Sequence, residues 1–186
     1  MLKHSIFKNK SINNDVPTYI IAEMSANHCG DFDKAIKIIR EAKQCGADAV
    51  KIQTYRGDTI TLNSNQEDFL IPDTSPWKEH KTLYSLYETA STPWEWHKEL
   101  FHEGKKLGID IFSSPFDITA VDFLEKLNNP VYKIASPEIT DIPLLKKVAG
   151  TGKPVILSTG VATLEDLNLA VMTLRGSGCE NLIILK

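Results

Sequence analysis

The sequence predicts an α/β fold in which parallel strands alternate with helices. Three observations predict it. Six short runs rich in β-formers alternate with amphipathic runs of helical period along the chain. Each short run is near-continuous in apolar residues, as parallel strands covered on both faces are. The first run leads into Glu23-Met24-Ser25-Ala26-Asn27-His28-Cys29-Gly30, not into the GxGxxG that opens a dinucleotide-binding sheet. Between an open doubly wound sheet and a closed barrel, these points favour part of a TIM (β/α)8 barrel. A complete barrel takes about 250 residues, so the 186 residues present suit about six of its strands.

The elements follow in order. Residues up to Pro17 are expected to form a hairpin that plugs the bottom of the sheet. Strands are expected at Tyr19–Met24, Ala49–Gln53, Ile109–Ser113, Val131–Ala135, Val155–Thr159 and Leu182–Leu185. Phe32, Ala35, Ile36, Ile39 and Ala42 form one helical stripe, with Asp31 as N-cap and Gly46 as the stop. Thr92-Pro93-Trp94-Glu95 signals a second helix, with proline at its first position. Asp117 and Asp141 read as caps of two more. Leu164, Leu167, Val171 and Leu174 form a last stripe, opened by a capping box of Thr163 with Asp166 and ended at Gly176. Strands after residue 109 recur every 25 residues or so, a typical β/α unit. One interval is longer, Thr54 to Ser91. Its tip, Asn63 to Pro76, is polar, and Lys81–Ala90 reads as a short helix. Such an excursion is either a binding loop or a packing detour.

Composition narrows the class of protein. With Lys+Arg 21 against Asp+Glu 24 the formal net charge is −3, and 42% of residues are hydrophobic. This is too apolar for a disordered chain and too near neutral for a polyanion-binding surface. No nucleic-acid motif, membrane span or signal peptide is read, and the expected compartment is the cytoplasm. Cys29, Cys45 and Cys179 are far apart and odd in number, so they form neither a disulfide framework nor a CxxC metal site.

Strand parity points to the chemistry. In Ala49-Val50-Lys51-Ile52-Gln53, Lys51 and Gln53 share the face opposite Val50 and Ile52; in Val131-Tyr132-Lys133-Ile134-Ala135, Lys133 opposes Tyr132 and Ile134. A lysine inside a doubly covered strand is costly unless an anion meets it. Each lysine therefore either meets an anionic ligand in one lumen, or pairs with a buried Glu or snorkels to the rim. Glu23 ends the first strand, where such barrels place catalytic groups; it is either an acid/base or hydroxyl-binding carboxylate or the partner of a lysine. Hydroxyls recur at the other strand ends, Ser113-Ser114, Ser136 and Ser158-Thr159-Gly160, and suit phosphate oxygens ahead of a helix. His28 reads as a turn residue rather than a ligand. His97 and His102 are five apart, not the i, i+4 of a zinc helix.

These same residues carry a family resemblance. Ile21-Ala22-Glu23-Met24-Ser25-Ala26-Asn27-His28-Cys29-Gly30-Asp31 resembles the opening motif of the sialic acid synthase family. The segments Gly46–Thr54, Ser113–Asp117, Tyr132–Ser136 and Gly152–Gly160 follow that family in order. Glu23–His28 with Thr92–His97 is most similar to its pseudaminic acid synthase branch. The resemblance implies a TIM barrel that condenses phosphoenolpyruvate with an N-acylated amino sugar, giving a nine-carbon acid (pseudaminic, neuraminic or legionaminic) and phosphate. It implies that Lys51, Ser114, Lys133, Ser136 and Ser158 hold phosphoenolpyruvate, that Glu23 and Gln53 lie near the sugar, and that Glu23, Lys51 and Lys133 are catalytic. Ser114 stands where the family usually has threonine, and Cys29 where asparagine is common. The resemblance also implies a divalent metal, Mn2+ or Mg2+, whose ligands are expected beyond Lys186 with none in this chain. The final strands and an antifreeze-like domain are likewise expected beyond residues 1–186, and a homodimer is expected for the full-length protein. Two other readings stay open: a Schiff-base barrel aldolase or lyase using Lys133 or Lys51, and a truncated barrel that binds without turnover.

Overall fold

The computed structural model describes residues 17–186, together with the backbone of residues 5–7 and 10–11. The latter form a two-stranded antiparallel pair, β1 (Ser5–Phe7) and β2 (Lys10–Ser11); the rest of the expected hairpin and its plug lie outside the described residues. Six parallel strands follow: β3 (Ile21–Glu23), β4 (Ala49–Thr54), β5 (Asp110–Pro115), β6 (Tyr132–Ile134), β7 (Val155–Ser158) and β8 (Leu182–Leu185). They are hydrogen-bonded in sequence order, β3-β4-β5-β6-β7-β8. The order never reverses, so the sheet lacks the switch point of a doubly wound fold and forms an arc of barrel wall.

The helices α1 (Phe32–Gln44), α4 (Trp94–Leu107), α5 (Ile118–Lys126), α6 (Ile142–Ala149) and α7 (Leu164–Gly176) cover the outer side. Val50, Ile52 and Ile111 pack outward against Ile39 of α1 and Leu100 of α4. Tyr132, Ile134, Val155 and Leu157 pack outward against Val121, Leu145 and Leu174. On the other side Ala49, Phe112, Val131 and Ile156 close the floor of the lumen with Ile21 and Ile183. Parity therefore sorts each strand into a helix-facing row and a lumenal row.

The caps follow the local chemistry. Asp31 accepts from Lys34 N–H, Asp117 from Thr119 and Ala120, and Asp141 from Leu144. Thr163 and Asp166 form the reciprocal capping box. The strand ends lie within two residues of expectation, and among the covering helices two ends differ. Pro93 is the N-cap of α4, with φ −52° and ψ 131°, one residue before the position expected of it; the Thr92 hydroxyl is taken instead by His28. α7 runs through Gly176, and the chain turns at Gly178, whose φ of +100° favours glycine.

The excursion after β4 holds α2 (Gly57–Ile60) and α3 (Leu83–Ala90), the latter capped by Thr82 two residues into the expected span. Gly57 N–H donates to Glu88 Oε1 at 2.8 Å. A Cβ at residue 57 would lie 2.6 Å from that oxygen, so a side chain there would push the Glu88 carboxylate away from this contact between α2 and α3. Tyr55 stands edge-on to both Tyr87 and Phe116, which fastens the excursion to the ends of β4 and β5.

Candidate active site

The lumenal rows of β3 to β7 end in one cavity of about 410 Å3. Its wall contains Glu23, Lys51, Gln53, Ser114, Lys133, Ser136 and Ser158. Register brings them together, because Glu23 pairs with Lys51 across β3 and β4, and Gln53 with Ser114 across β4 and β5. Of the strand-end groups, Ser113, Thr159 and Gly160 do not line the cavity; Ser113 bonds Thr54 on the helix side and Thr159 donates to Leu185 O. A larger cleft of about 920 Å3 opens at the other end of the strands, outside the sheet between α4 and α5. It is lined by mixed surface charges such as Lys98, Glu99, Lys105 and Lys126, and none of the strand-end hydroxyls reaches it. The lysines, carboxylate and strand-end serines gather in the smaller cavity.

The two lysines are both largely buried, at 9% and 8% exposure, but they are not equivalent. Lys51 Nζ donates to Glu23 Oε1 at 2.7 Å. Burial pushes the Glu23 carboxyl up, but Lys51, with help from Ser25 and Lys133, outweighs this and holds it below the usual range. Of the two ways to pair Glu23 with a lysine, the structure uses Lys51. Lys133 Nζ donates to the backbone oxygen of Ile134 at 2.9 Å. Burial and the neighbouring Lys51 charge lower its pKa to about 8, against the opposing pull of Glu23 and Glu138.

The hydroxyls are positioned to donate. Ser114 Oγ is buried with no hydrogen-bond partner, an arrangement that is costly unless a ligand completes it. Ser136 Oγ accepts the Val161 N–H at 2.7 Å, which leaves its own proton for an acceptor in the cavity. Glu138, in the turn after β6, was not legible as a site residue. Its Oε2 is buried without a partner, burial pushes its carboxyl up, and it acts electrostatically on Lys133. Only the sequence Ser136-Pro137-Glu138, a charged residue two places past a strand-end hydroxyl, hinted at it.

Two histidines, His28 and His97, have their ring nitrogens engaged within the fold. Gly30 N–H donates to His28 Nδ1 at 3.1 Å, so Nε2 carries the proton and donates to Thr92 Oγ1 at 3.2 Å. Burial first, and then Lys34, lowers the pKa of this buried ring. His97 is held to about 4 by burial. Both rings are committed to neighbours of the protein.

Residues 38–186 of this sequence match the NeuB family. The chain belongs to the NeuB family. This NeuB chain is similar to the pseudaminic acid synthase of Helicobacter pylori, 48% identical over 170 residues that make up 91% of this chain and 49% of the relative. It is also similar to the pseudaminic acid synthase of Campylobacter jejuni, 45% identical over 176 residues, 95% of this chain and 51% of the relative. Among solved structures it resembles the N-acetylneuraminic acid (sialic acid) synthetase of Leptospira borgpetersenii in complex with citrate. That match has a TM-score of 0.80 and 29% identity, and covers 96% of this chain and 56% of the other. The NeuB chain thus spans about half the length of the curated relatives it matches.

The metal expected from the resemblance finds no fit among these residues. Among the described residues no three His, Cys, Asp or Glu side chains converge as a cation site. Glu23 is already engaged by Lys51 and Ser25, and a divalent cation beside Lys51 and Lys133 would meet like charge. Likewise, no described helix is long and apolar enough to cross a membrane.

Proposed function

We propose that this chain supplies the donor-holding part of a synthase that condenses phosphoenolpyruvate with an N-acylated amino sugar, forming a sialic-type nine-carbon acid and releasing phosphate. One observation supports it most: two buried lysines and three strand-end serines converge on one cavity. Phosphoenolpyruvate carries a carboxylate and a phosphate, and charge-assisted hydrogen bonds from ammonium and hydroxyl groups are the contacts that hold both.

In this reading Lys51 and Lys133 bind the two anionic ends, and Ser114, Ser136 and Ser158 donate to their oxygens. An incoming anion relieves the repulsion between the lysines and satisfies Ser114. Glu23 and Gln53, at the rim ends of β3 and β4, accept and donate to sugar hydroxyls, with Lys51 fixing the Glu23 carboxylate in its ionised form. Glu138 beside Lys133 is a candidate proton carrier, since burial favours its protonated state. The bond-forming carbon is C3 of the donor, which attacks the sugar aldehyde. Water then adds at C2, and the tetrahedral intermediate expels phosphate by C–O cleavage. The positive lumen stabilises the charge that gathers on the departing phosphate.

The two relatives named above favour the pseudaminic branch for the acceptor, and neuraminic or legionaminic precursors are the alternatives. Free thiols at Cys29, Cys45 and Cys179 fit a reducing compartment, and we place the reaction in the cytoplasm.

Phosphoenolpyruvate labelled with 18O at its bridging oxygen tests the reading, in the presence of an N-acylated amino sugar and divalent metal. C–O cleavage must send the label into phosphate. Label retained in the sugar acid contradicts the proposal.

A further inference from the structure

The two lysines of the cavity differ in a way that the donor-holding role does not require. Lys51 has a carboxylate partner, Glu23 Oε1 at 2.7 Å. Lys133 is 8% exposed, and its described hydrogen bond goes to a backbone oxygen, not to a carboxylate. The charged groups acting on it are Lys51 from β4, Glu23 from β3 and Glu138 from the turn after β6. Burial and the Lys51 charge together outweigh the two carboxylates. Beside this loosely protonated amine stand groups that grip an anion: Lys51 itself, the orphaned Ser114 Oγ, and Ser136, whose oxygen already accepts from Val161.

We propose that Lys133 is a carbonyl-capturing amine: the cavity binds a small phosphorylated aldehyde, and Lys133 Nζ condenses with it to a reversible imine. The inference rests on the anion-holding reading of the cavity and adds a covalent step to it. The Nζ lone pair attacks the carbonyl carbon and gives a carbinolamine. Loss of water then removes the carbonyl oxygen with both amine hydrogens and leaves the C=N bond. No electron changes hands, so no oxidant or reductant is needed, and hydrolysis reverses the step. The neutral amine is the nucleophile. With a pKa of about 8, roughly a quarter of Lys133 is uncharged at about pH 7.5, on the order of a few hundred times more than for an ordinary lysine. The product benefits from the same phosphate, because a protonated imine keeps the single positive charge of the ammonium it replaces.

The consequence is a covalent, reversible block that discriminates by charge. Phosphorylated aldehydes occupy the site and uncharged ones do not.

The test uses the intact protein with pyridoxal 5′-phosphate as probe, borohydride reduction to trap the imine, and peptide mass mapping to locate it. Lys133 should be modified at least ~10-fold faster than Lys51 or the exposed Lys34, with a rate that climbs through a midpoint near pH 8. Inorganic phosphate should slow it, and pyridoxal without the phosphate should modify Lys133 no faster than Lys34. Modification of Lys133 at the rate of Lys34, or equally by pyridoxal, overturns the inference. Calorimetry with phosphoenolpyruvate separates the two levels. If phosphoenolpyruvate binds while Lys133 stays unmodified, this inference alone fails. If neither binding nor modification occurs, the donor-holding reading fails with it.

Discussion

The barrel wall carries polar side chains on both faces, and the two faces differ most at the neighbours Ser113 and Ser114 of β5. On the helix side, Thr54 Oγ1 meets His97 Nε2 at 2.8 Å and Ser113 Oγ at 2.6 Å. His97 Nδ1 donates to Pro93 O at 3.1 Å, so Nε2 accepts the Thr54 proton, and Thr54 in turn accepts from Ser113. Asn129 accepts the Ser113 N–H at 3.0 Å and donates to Val131 O at 2.7 Å. Every group there has its partner within the protein. On the lumenal side, Ser114 is orphaned, Lys133 has a backbone oxygen alone, and Glu138 keeps a buried bare oxygen. Ser113 and Ser114 are neighbours in sequence with the same side chain, yet one is a structural tie and the other is buried without a hydrogen-bond partner. Closed polar networks hold a fold; incomplete ones call for an explanation of their own.

Three changes would break or sharpen that contrast. The largest effect is expected from Asn129→Ala, which removes two buried hydrogen bonds and leaves their partners bare. It should cost about 2–4 kcal/mol of stability, read as a Tm drop of roughly 4–16 °C for a chain of this size. Phosphoenolpyruvate affinity in calorimetry should stay within about twofold. A loss of affinity as large as the loss of stability would mean that the faces are not separate.

Next comes Lys133→Met. Removing a charge-assisted contact of about 1.5–3 kcal/mol should weaken phosphoenolpyruvate on the order of 10- to 150-fold. The ligand-free fold should be no less stable, because the cation is itself costly to bury without a carboxylate partner. The pH dependence follows with a definite sign. The folded protein releases the Lys133 proton near pH 8, whereas the unfolded chain keeps it until the ordinary lysine value of 10.5. Between these values the unfolded state binds more protons, so stability rises with pH; below about 8 the full penalty is present. Denaturant titrations of both proteins between pH 7 and 10 should show the wild type gaining on Lys133→Met as the pH rises. A wild type that loses ground over that window would show that Lys133 is paired after all.

The smallest effect is expected from Ser114→Ala. Loss of one neutral hydrogen bond should lower phosphoenolpyruvate affinity roughly 2- to 10-fold. Stability should hold or rise slightly, since a buried unpartnered hydroxyl disappears. The matching change on the other face, Ser113→Ala, should destabilise the fold and spare affinity, so thermal melts of the two variants read the contrast at adjacent positions.

Much of the architecture could be read without coordinates because its signals are local. The six strands, the Asp31, Asp117, Asp141 and Thr163 caps and the inward parity of Lys51, Gln53 and Lys133 each depend on a few neighbouring residues. The start signal of α4 puts Pro93 at the first helical position, whereas the structure makes it the N-cap; the Thr92 hydroxyl is engaged by His28, distant in sequence, which no local signal shows. No local pattern marks Glu138, because no period governs a turn.

By itself the sequence determined which side chains face the lumen, since a strand repeats every two residues and that rule needs no partner. It could not decide which lysine Glu23 meets, whether Ser113 or Ser114 is satisfied, or that Glu138 swings toward Lys133. Those outcomes depend on the register between strands and on what each helix brings against the sheet. Register is a long-range property, and the electrostatics of the cavity follow from it: it pairs Glu23 with Lys51, and it leaves Lys133 without a carboxylate partner, where burial and the Lys51 charge weaken the hold on its proton.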